Sequence, residues 1–232
     1  MGNVLGGIVT VSTSTLTGNQ AIGGISGFGG NGGNGLGGGL FNDAPSTDPS
    51  NPGAPTILTF FGSTLADNEA KGGAAGAGGS SAGLGAGGGI SSASILTILG
   101  SSLSHNLALG HDGAGGANGG DALGGGLYIA GGTASLLSTT IDYNRALGGD
   151  GDTGSNGGNA LGGGVYVAAG TVLISTSDIS DNQAIGGMGD CDGTDGLGVG
   201  GGVYNFGTFL NDAATVIHHN RASDSNNDCF GC

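Results

Sequence analysis

Residues 134–147, ASLLSTTIDYNRAL, and residues 172–185, VLISTSDISDNQAI, decide the fold, because they are one pattern written twice, 38 positions apart. In each, inward candidates alternate with neighbours of the other face (Ala134/Leu136, Val172/Ile174), and an Ile stands three residues before an Asn and an Ala two residues after it. A spacing of two belongs to strands, whose side chains point alternately to opposite faces, and no 3.6-residue pattern survives over eleven positions. Working outward, the Asn recurs at Asn19, Asn68, Asn106, Asn144, Asn182 and Asn220; the last four intervals are 38 residues and the first is 49. Three residues before it stand Leu16, Leu65, Leu103, Ile141, Ile179 and Ile217, and two after it Ala21, Ala70, Ala108, Ala146, Ala184 and Ala222. The excess in the first interval falls in residues 42–55, a stretch holding all four prolines, which reads as a surface loop inserted into one repeat.

A second block follows the same period: GGGLF (37–41), GGGIS (87–91), GGGLY (124–128), GGGVY (162–166) and GGGVY (200–204). From Asn19, Asn106, Asn144 and Asn182 a glycine-rich arc reaches the first glycine of the next triplet 18 residues on, and from Asn68 19 residues on. A floppy linker would not hold its length so constant, so the arcs read as ordered, extended or polyglycine-like backbone. One such repeat cannot bury its apolar side alone; equal repeats of short strands stack into a solenoid, with each residue about 4.8 Å from its counterpart one coil away. The Leu/Ile columns then fill the interior. The Asn column is expected to form an inward amide ladder, each side chain bonding the next, with turn chemistry as the other way to explain an Asn here.

The expected fold is therefore all-β, a right-handed parallel β-helix of about six coils. It forms a single domain over residues 1–232, with a partial first coil at 1–8 and the loop insertion at 42–55. Its repeats resemble those of the polymorphic outer-membrane proteins, which pair a Gly-Gly-Ala-Ile-like block with a Phe-x-x-Asn block. GGGLY and GGGVY match the first, and Leu65-Ala-Asp-Asn68, Ile141-Asp-Tyr-Asn144 and Ile179-Ser-Asp-Asn182 the second, with Leu or Ile in place of Phe. The resemblance covers nearly the whole chain and implies a surface or adhesive role.

Composition narrows the partners. Of 232 residues 60 are Gly, and 3 Lys and Arg stand against 17 Asp and Glu, a formal net charge of −14. Phosphate backbones and anionic membranes both call for clustered cations, so nucleic acid and membrane docking are not expected. No apolar run reaches the length of a membrane span.

Candidate chemistry is sparse. Gly79-Ser80-Ser81-Ala82-Gly83 fits the nucleophile-elbow spacing, but at this glycine content such a match arises by chance and no strand-to-helix context surrounds it. The only Lys, Lys71, does not sit in a phosphate loop. Arg145, Arg221 and Glu69 read as solvated surface charges. His105 and His219 share a column three coils apart, too far to share a metal, and His218 and His219 should face opposite sides of a strand. Asp152, Asp190 and Asp228, spaced by 38, would form a column of like charges that either calcium or solvent must screen. Cys191 and Cys229 each lie nine residues past their Asn, so a disulfide between adjacent coils is expected. The rival is a local Cys229–Cys232 bridge, and either bond implies an oxidising compartment.

No catalytic residue and no required cofactor are assigned. The expected function is a rigid, non-enzymatic element outside the cell or at its surface, as part of a larger chain or as a subunit stacking end to end, with carbohydrate as a possible ligand. The alternative is a carbohydrate-active enzyme of the same fold. A Thr column for ice binding decays after Thr10, Thr59 and Thr97.

Overall fold

Each repeat closes into one coil of five short strands, described in the computed structural model for residues 1–4, 6–44 and 53–232. The fourth coil shows the plan: Leu127–Ile129, Thr133–Leu137, Thr140–Asp142, Arg145–Leu147 and Ala160–Leu161. We number the five walls that these strands build in that order. Corresponding strands pair in parallel from coil to coil, giving walls of seven, six, six, six and five strands. The result is an all-β parallel solenoid of about six turns, and no helix occurs among the described residues. Consistent with that, no helix is long and apolar enough to cross a membrane.

Gly2–Asn3 already lies in the first wall, beside Phe41–Asn42. The expected insertion separates the first wall, which ends in that coil at Asn42, from the second, which begins at Ile57; residues 45–52 of it lie outside the described residues.

The apolar core fills the space between the first three walls. Leu58, Leu96, Ala134 and Val172 form one inward column of the second wall, and Leu65, Leu103, Ile141 and Ile179 the column of the third, all buried. Between the fourth and fifth walls the section narrows, because only Ala108, Ala122, Ala146, Ala160 and Ala184 separate the two backbones. This pinch explains the invariable Ala after the Asn: a larger side chain there would hold the walls apart.

The bends are as specific as the strands. Between second and third walls the chain turns through Thr13, Gly62, Gly100, Ser138 and Thr176, and between third and fourth through Gly18, Asp67, His105, Tyr143, Asp181 and His219, all with positive φ. The left-handed residue is thus the one before the Asn, which frees the Asn side chain to turn inward. Asn144 Nδ2 donates to Asn182 Oδ1 at 3.0 Å and to the Leu103 carbonyl at 2.9 Å. Its Oδ1 in turn accepts from both the backbone N–H and the Nδ2 of Asn106, at 3.0 and 2.9 Å. The same links join Asn19 to Asn68, Asn68 to Asn106 and Asn182 to Asn220. Asp offers no such donors, so Asn is the residue that can both receive from one coil and give to the next.

The glycine triplet has three separate causes. Gly124 has φ +61, a conformation costly for any residue with a Cβ. A Cβ on Gly125 would lie 2.5 Å from the Arg145 backbone, and one on Gly126 3.0 Å from the Asn144 amide. The triplet is where the first wall closes over the ladder. Beyond it, Tyr128, Tyr166 and Tyr204 stack outside the first wall with ring centroids 5.5 and 5.4 Å apart, and Phe230 continues the stack at 4.6 Å. Burial, reinforced by its two Tyr neighbours, pushes the Tyr166 hydroxyl up to about 12.

The last coil departs from the period. Thr208–Asn211 pairs with Thr171–Ile174, one residue short of the 38-residue register, so Leu210 rather than Asn211 lies beside Leu173 and Phe209 fills the Val172 column. The register is regained by Val216. Asp212, in the compensating turn, accepts from the Ser175 and Thr215 hydroxyls and the Thr176 N–H, which hold its carboxyl down at about 2.

Candidate functional site

The arcs are ordered, and their backbone is the most distinctive surface. Each arc has an outgoing and a returning limb, and three successive amides of one returning limb point three ways. Asn118 donates to Ser80 O in the coil before, Gly119 to Asn156 O in the coil after, and Gly120 to His111 O in its own outgoing limb. That threefold arrangement belongs to an extended helix with three residues per turn and no internal hydrogen bonds. The limbs interleave along the axis: Gly149 N–H bonds Gly120 O, Gly158 bonds Gly149, Gly187 bonds Gly158 and Gly196 bonds Gly187, at 2.8 to 2.9 Å. With three residues per turn, every third side chain of the returning limb reaches the same outer face.

Those side chains form two parallel columns. One holds Asn31, Ser81, Asn118, Asn156 and Thr194; the other holds Asn34, Leu84, Asp121, Asn159 and Leu197. Each Asn or Asp side chain of these columns fastens the next coil: Asn118 Oδ1 accepts from Asn156 N at 2.9 Å, Asp121 Oδ1 from Asn159 N at 2.7 Å, and Asn156 Oδ1 from Thr194 N at 2.8 Å. Between the columns lies a furrow of about 420 Å³, floored by glycine backbone at Gly119, Gly120 and Gly157. Sequence reading passed over these residues. The signal was present as Asn-Gly-Gly-Asn (31–34), Asn-Gly-Gly-Asp (118–121) and Asn-Gly-Gly-Asn (156–159), a period of three nested inside the period of 38.

The titratable side chains gather elsewhere, on the outer face of the third wall. Asp142 and Asp178 lie on neighbouring strands, and each has one buried carboxylate oxygen without a hydrogen-bond partner. His218 Nε2 lies 3.3 Å from Asp178 Oδ2. His105 stacks on Tyr143 at 5.2 Å. Burial raises the Asp142 carboxyl above the usual carboxylate range; His105 opposes the shift, and Asp178 and Asp181 add to it. The fold therefore favours neutral Asp142, and that contribution to stability is present at low pH and lost as the pH rises through the raised value. Asp142→Asn should raise the melting temperature at pH 7 and leave it unchanged near pH 3, where the native side chain is itself neutral. Melting curves across that range check it; an equal change at both pH values would rule out the charge as the cause. His218 and His219 do not face opposite sides as expected. His219 sits in a left-handed bend at φ 55, which swings its ring to 4.5 Å from that of His218.

Two expected constellations do not form. Cys229 is bonded to Cys232, and Cys191 remains an exposed thiol, hydrogen-bonded to Asp190, which raises its pKa. The reason is that the last coil has no arc: Cys229–Phe230 joins the first wall beside Val203–Tyr204, far from the register that would place it beside Cys191. The same shortcut breaks the column of Asp152, Asp190 and Asp228. Asp228 Oδ1 accepts from Asn220 N and Nδ2 at 3.0 and 3.1 Å, ending the amide ladder, while Asp152 Oδ2 accepts from Gly116 N at 2.9 Å. Among the described residues no three His, Cys, Asp or Glu side chains converge as a metal-binding group.

No family model matches the chain, and no curated protein or solved structure shows similarity to it.

Proposed function

We propose that the chain is a non-catalytic structural element, a rigid solenoid at or outside the cell surface in an adhesin-like protein. The observation that carries this reading is how the repeated polar side chains are used. The inner Asn ladder, the Ser and Thr hydroxyls at Ser63, Ser101, Ser177 and Thr215, and the outer Asn columns each bond the neighbouring coil. Side chains recruited in every coil for stacking build stiffness along the axis. Stacking through the last coil is disfavoured, because Asp228 already occupies the ladder donors there and Cys229–Phe230 already covers Val203–Tyr204. The second reading, a carbohydrate-active enzyme, draws on Asp142, Asp178 and His218, one carboxyl of which is kept protonated more readily than usual.

The two readings part in one experiment. The purified chain, incubated with neutral and acidic polysaccharides, is expected to release no new reducing ends or unsaturated products, and to run as a monomer by light scattering. Cleavage that disappears in Asp142→Asn or Asp178→Asn would establish the enzyme instead, and concentration-dependent fibres would restore end-to-end stacking.

A further inference from the structure

We propose that the furrow on the returning limbs binds an uncharged, extended oligosaccharide lying along the solenoid axis. The walls of the furrow are amides of fixed orientation. Asn31 Oδ1 accepts from Ser80 N at 3.0 Å and Asn34 Oδ1 from Leu84 N at 3.3 Å, as do Asn118, Asn156 and Asn159 from the coils that follow them. With each oxygen tied to the next coil, each Nδ2 is left over. Among the described residues, none of these five amide nitrogens has a protein partner, and all five residues line the furrow. Ten N–H bonds are therefore displayed in two rows, held by the backbone rather than by mobile rotamers. Preorganised donors of this kind suit a ligand with regularly repeated acceptor oxygens, because little side-chain entropy remains to be lost on binding.

Spacing and charge narrow the class. Rungs lie about 4.8 Å apart along the axis, the rise per coil: Asn31 stands two rungs before Asn118 and Asn156 one rung after it, while Asn34 and Asn159 are three rungs apart in the second row, and the rows are three residues apart, about 9.3 Å along a three-residue-per-turn limb. A hexose in an extended chain advances by about one coil, so four successive sugars span the rungs from Asn31 to Asn159, with amide donors at the first, third and fourth. The floor at Gly119, Gly120 and Gly157 has no side chains, so a flat ring can approach the peptide groups. Asp121 lies in the furrow, the chain carries a net charge of −14, and its three cations, Lys71, Arg145 and Arg221, lie on the fourth wall rather than on these limbs. A glycan bearing carboxylates or sulfates would be repelled, whereas a neutral one is not. The inference rests on the non-catalytic reading only in that the sugar is held and not cut.

Titration of the full chain with cellopentaose, penta-N-acetylchitopentaose, maltopentaose and pentagalacturonate tests it. At least one neutral pentasaccharide is expected to bind in the millimolar range or tighter, with pentagalacturonate at least tenfold weaker. Asn118→Asp combined with Asn156→Asp keeps an oxygen for the next coil, as Asp121 natively does for Asn159, and removes four donor hydrogens. It should weaken binding about tenfold or more while leaving the melting temperature nearly unchanged. If the pair fails to fold, Asn156→Asp alone, at an exposed position, carries the same comparison with a smaller loss. Absence of binding by all three neutral sugars, equal binding of the acidic one, or undiminished binding by the folded variant would each overturn the proposal. Cleavage of a bound sugar would instead overturn the non-catalytic reading and leave the binding site standing.

Discussion

Gly120→Ala is expected to cost about 3 kcal/mol or more and to lower the melting temperature by about 10 °C, an effect out of proportion to one methyl group. The added carbon would fall 1.9 Å from the Gly83 carbonyl oxygen and 2.7 Å from the Gly83 carbonyl carbon. Both belong to backbone, so no side chain can rotate away. Gly83 is itself pinned, since its N–H bonds Gly73 and its carbonyl accepts from His111. Relief therefore requires prising apart limbs that alternate through every coil. Gly24→Ala is the matched control: nothing lies within 4 Å of its would-be Cβ and its φ is ordinary, so the change should be neutral or stabilising by up to about 1 kcal/mol. Melting curves of the two variants decide. Equal shifts would mean that the limbs are looser than their hydrogen bonding implies.

Asn144→Ala should destabilise the chain by about 4 kcal/mol or more, beyond the 1–3 kcal/mol of a single unsatisfied group, because several partners are orphaned together. Asn106 N and Nδ2 lose their acceptor, and the Leu103 carbonyl and Asn182 Oδ1 lose a donor, all in a fully buried column. Asn19→Ala probes the same ladder where the side chain is exposed and water can replace the lost bonds; it should cost less than about 1 kcal/mol. Denaturant unfolding of both variants measures the contrast. A small loss at Asn144 would show that the ladder is a by-product of stacking and contributes little to it.

The walls were legible because each depends on a contrast that sequence expresses directly. Ile141 and Ile179 face inward and Asp142 and Ser180 outward, and the period of two records that. The Asn column was legible for a different reason: one position that demands both donors and acceptors leaves a single residue type repeated at fixed intervals. Glycine arcs express no such contrast. What orders them is backbone bonding to backbone in three directions, and at Gly119 and Gly120 the sequence records only that a side chain is excluded. The rows at Asn118 and Asp121 follow from a three-residue turn that becomes visible only once the limb is known to be extended. The cysteine pairing was missed because the register was carried one coil too far. Arithmetic places Cys229 beside Cys191, but residues after Ala222 no longer travel out along an arc, and seven residues on, Cys229 is already at the first wall.

The amide ladder gives the molecule a direction that its sheets lack. Backbone hydrogen bonds between parallel coils alternate in sense from residue to residue, so their dipoles nearly cancel along the axis. Every Asn of the inner ladder, by contrast, turns its carbonyl toward the preceding ladder Asn and donates one N–H to the following one, from Asn19 through Asn182, and these dipoles add. Each bond polarises the next within a dry interior, so the line is stronger than its separate members. Its positive pole meets the carboxylate of Asp228, which can receive and cannot pass anything on. The solenoid thus behaves electrically as an aligned row of amides closed by an anion, with its two poles chemically unlike even though its coils are nearly identical.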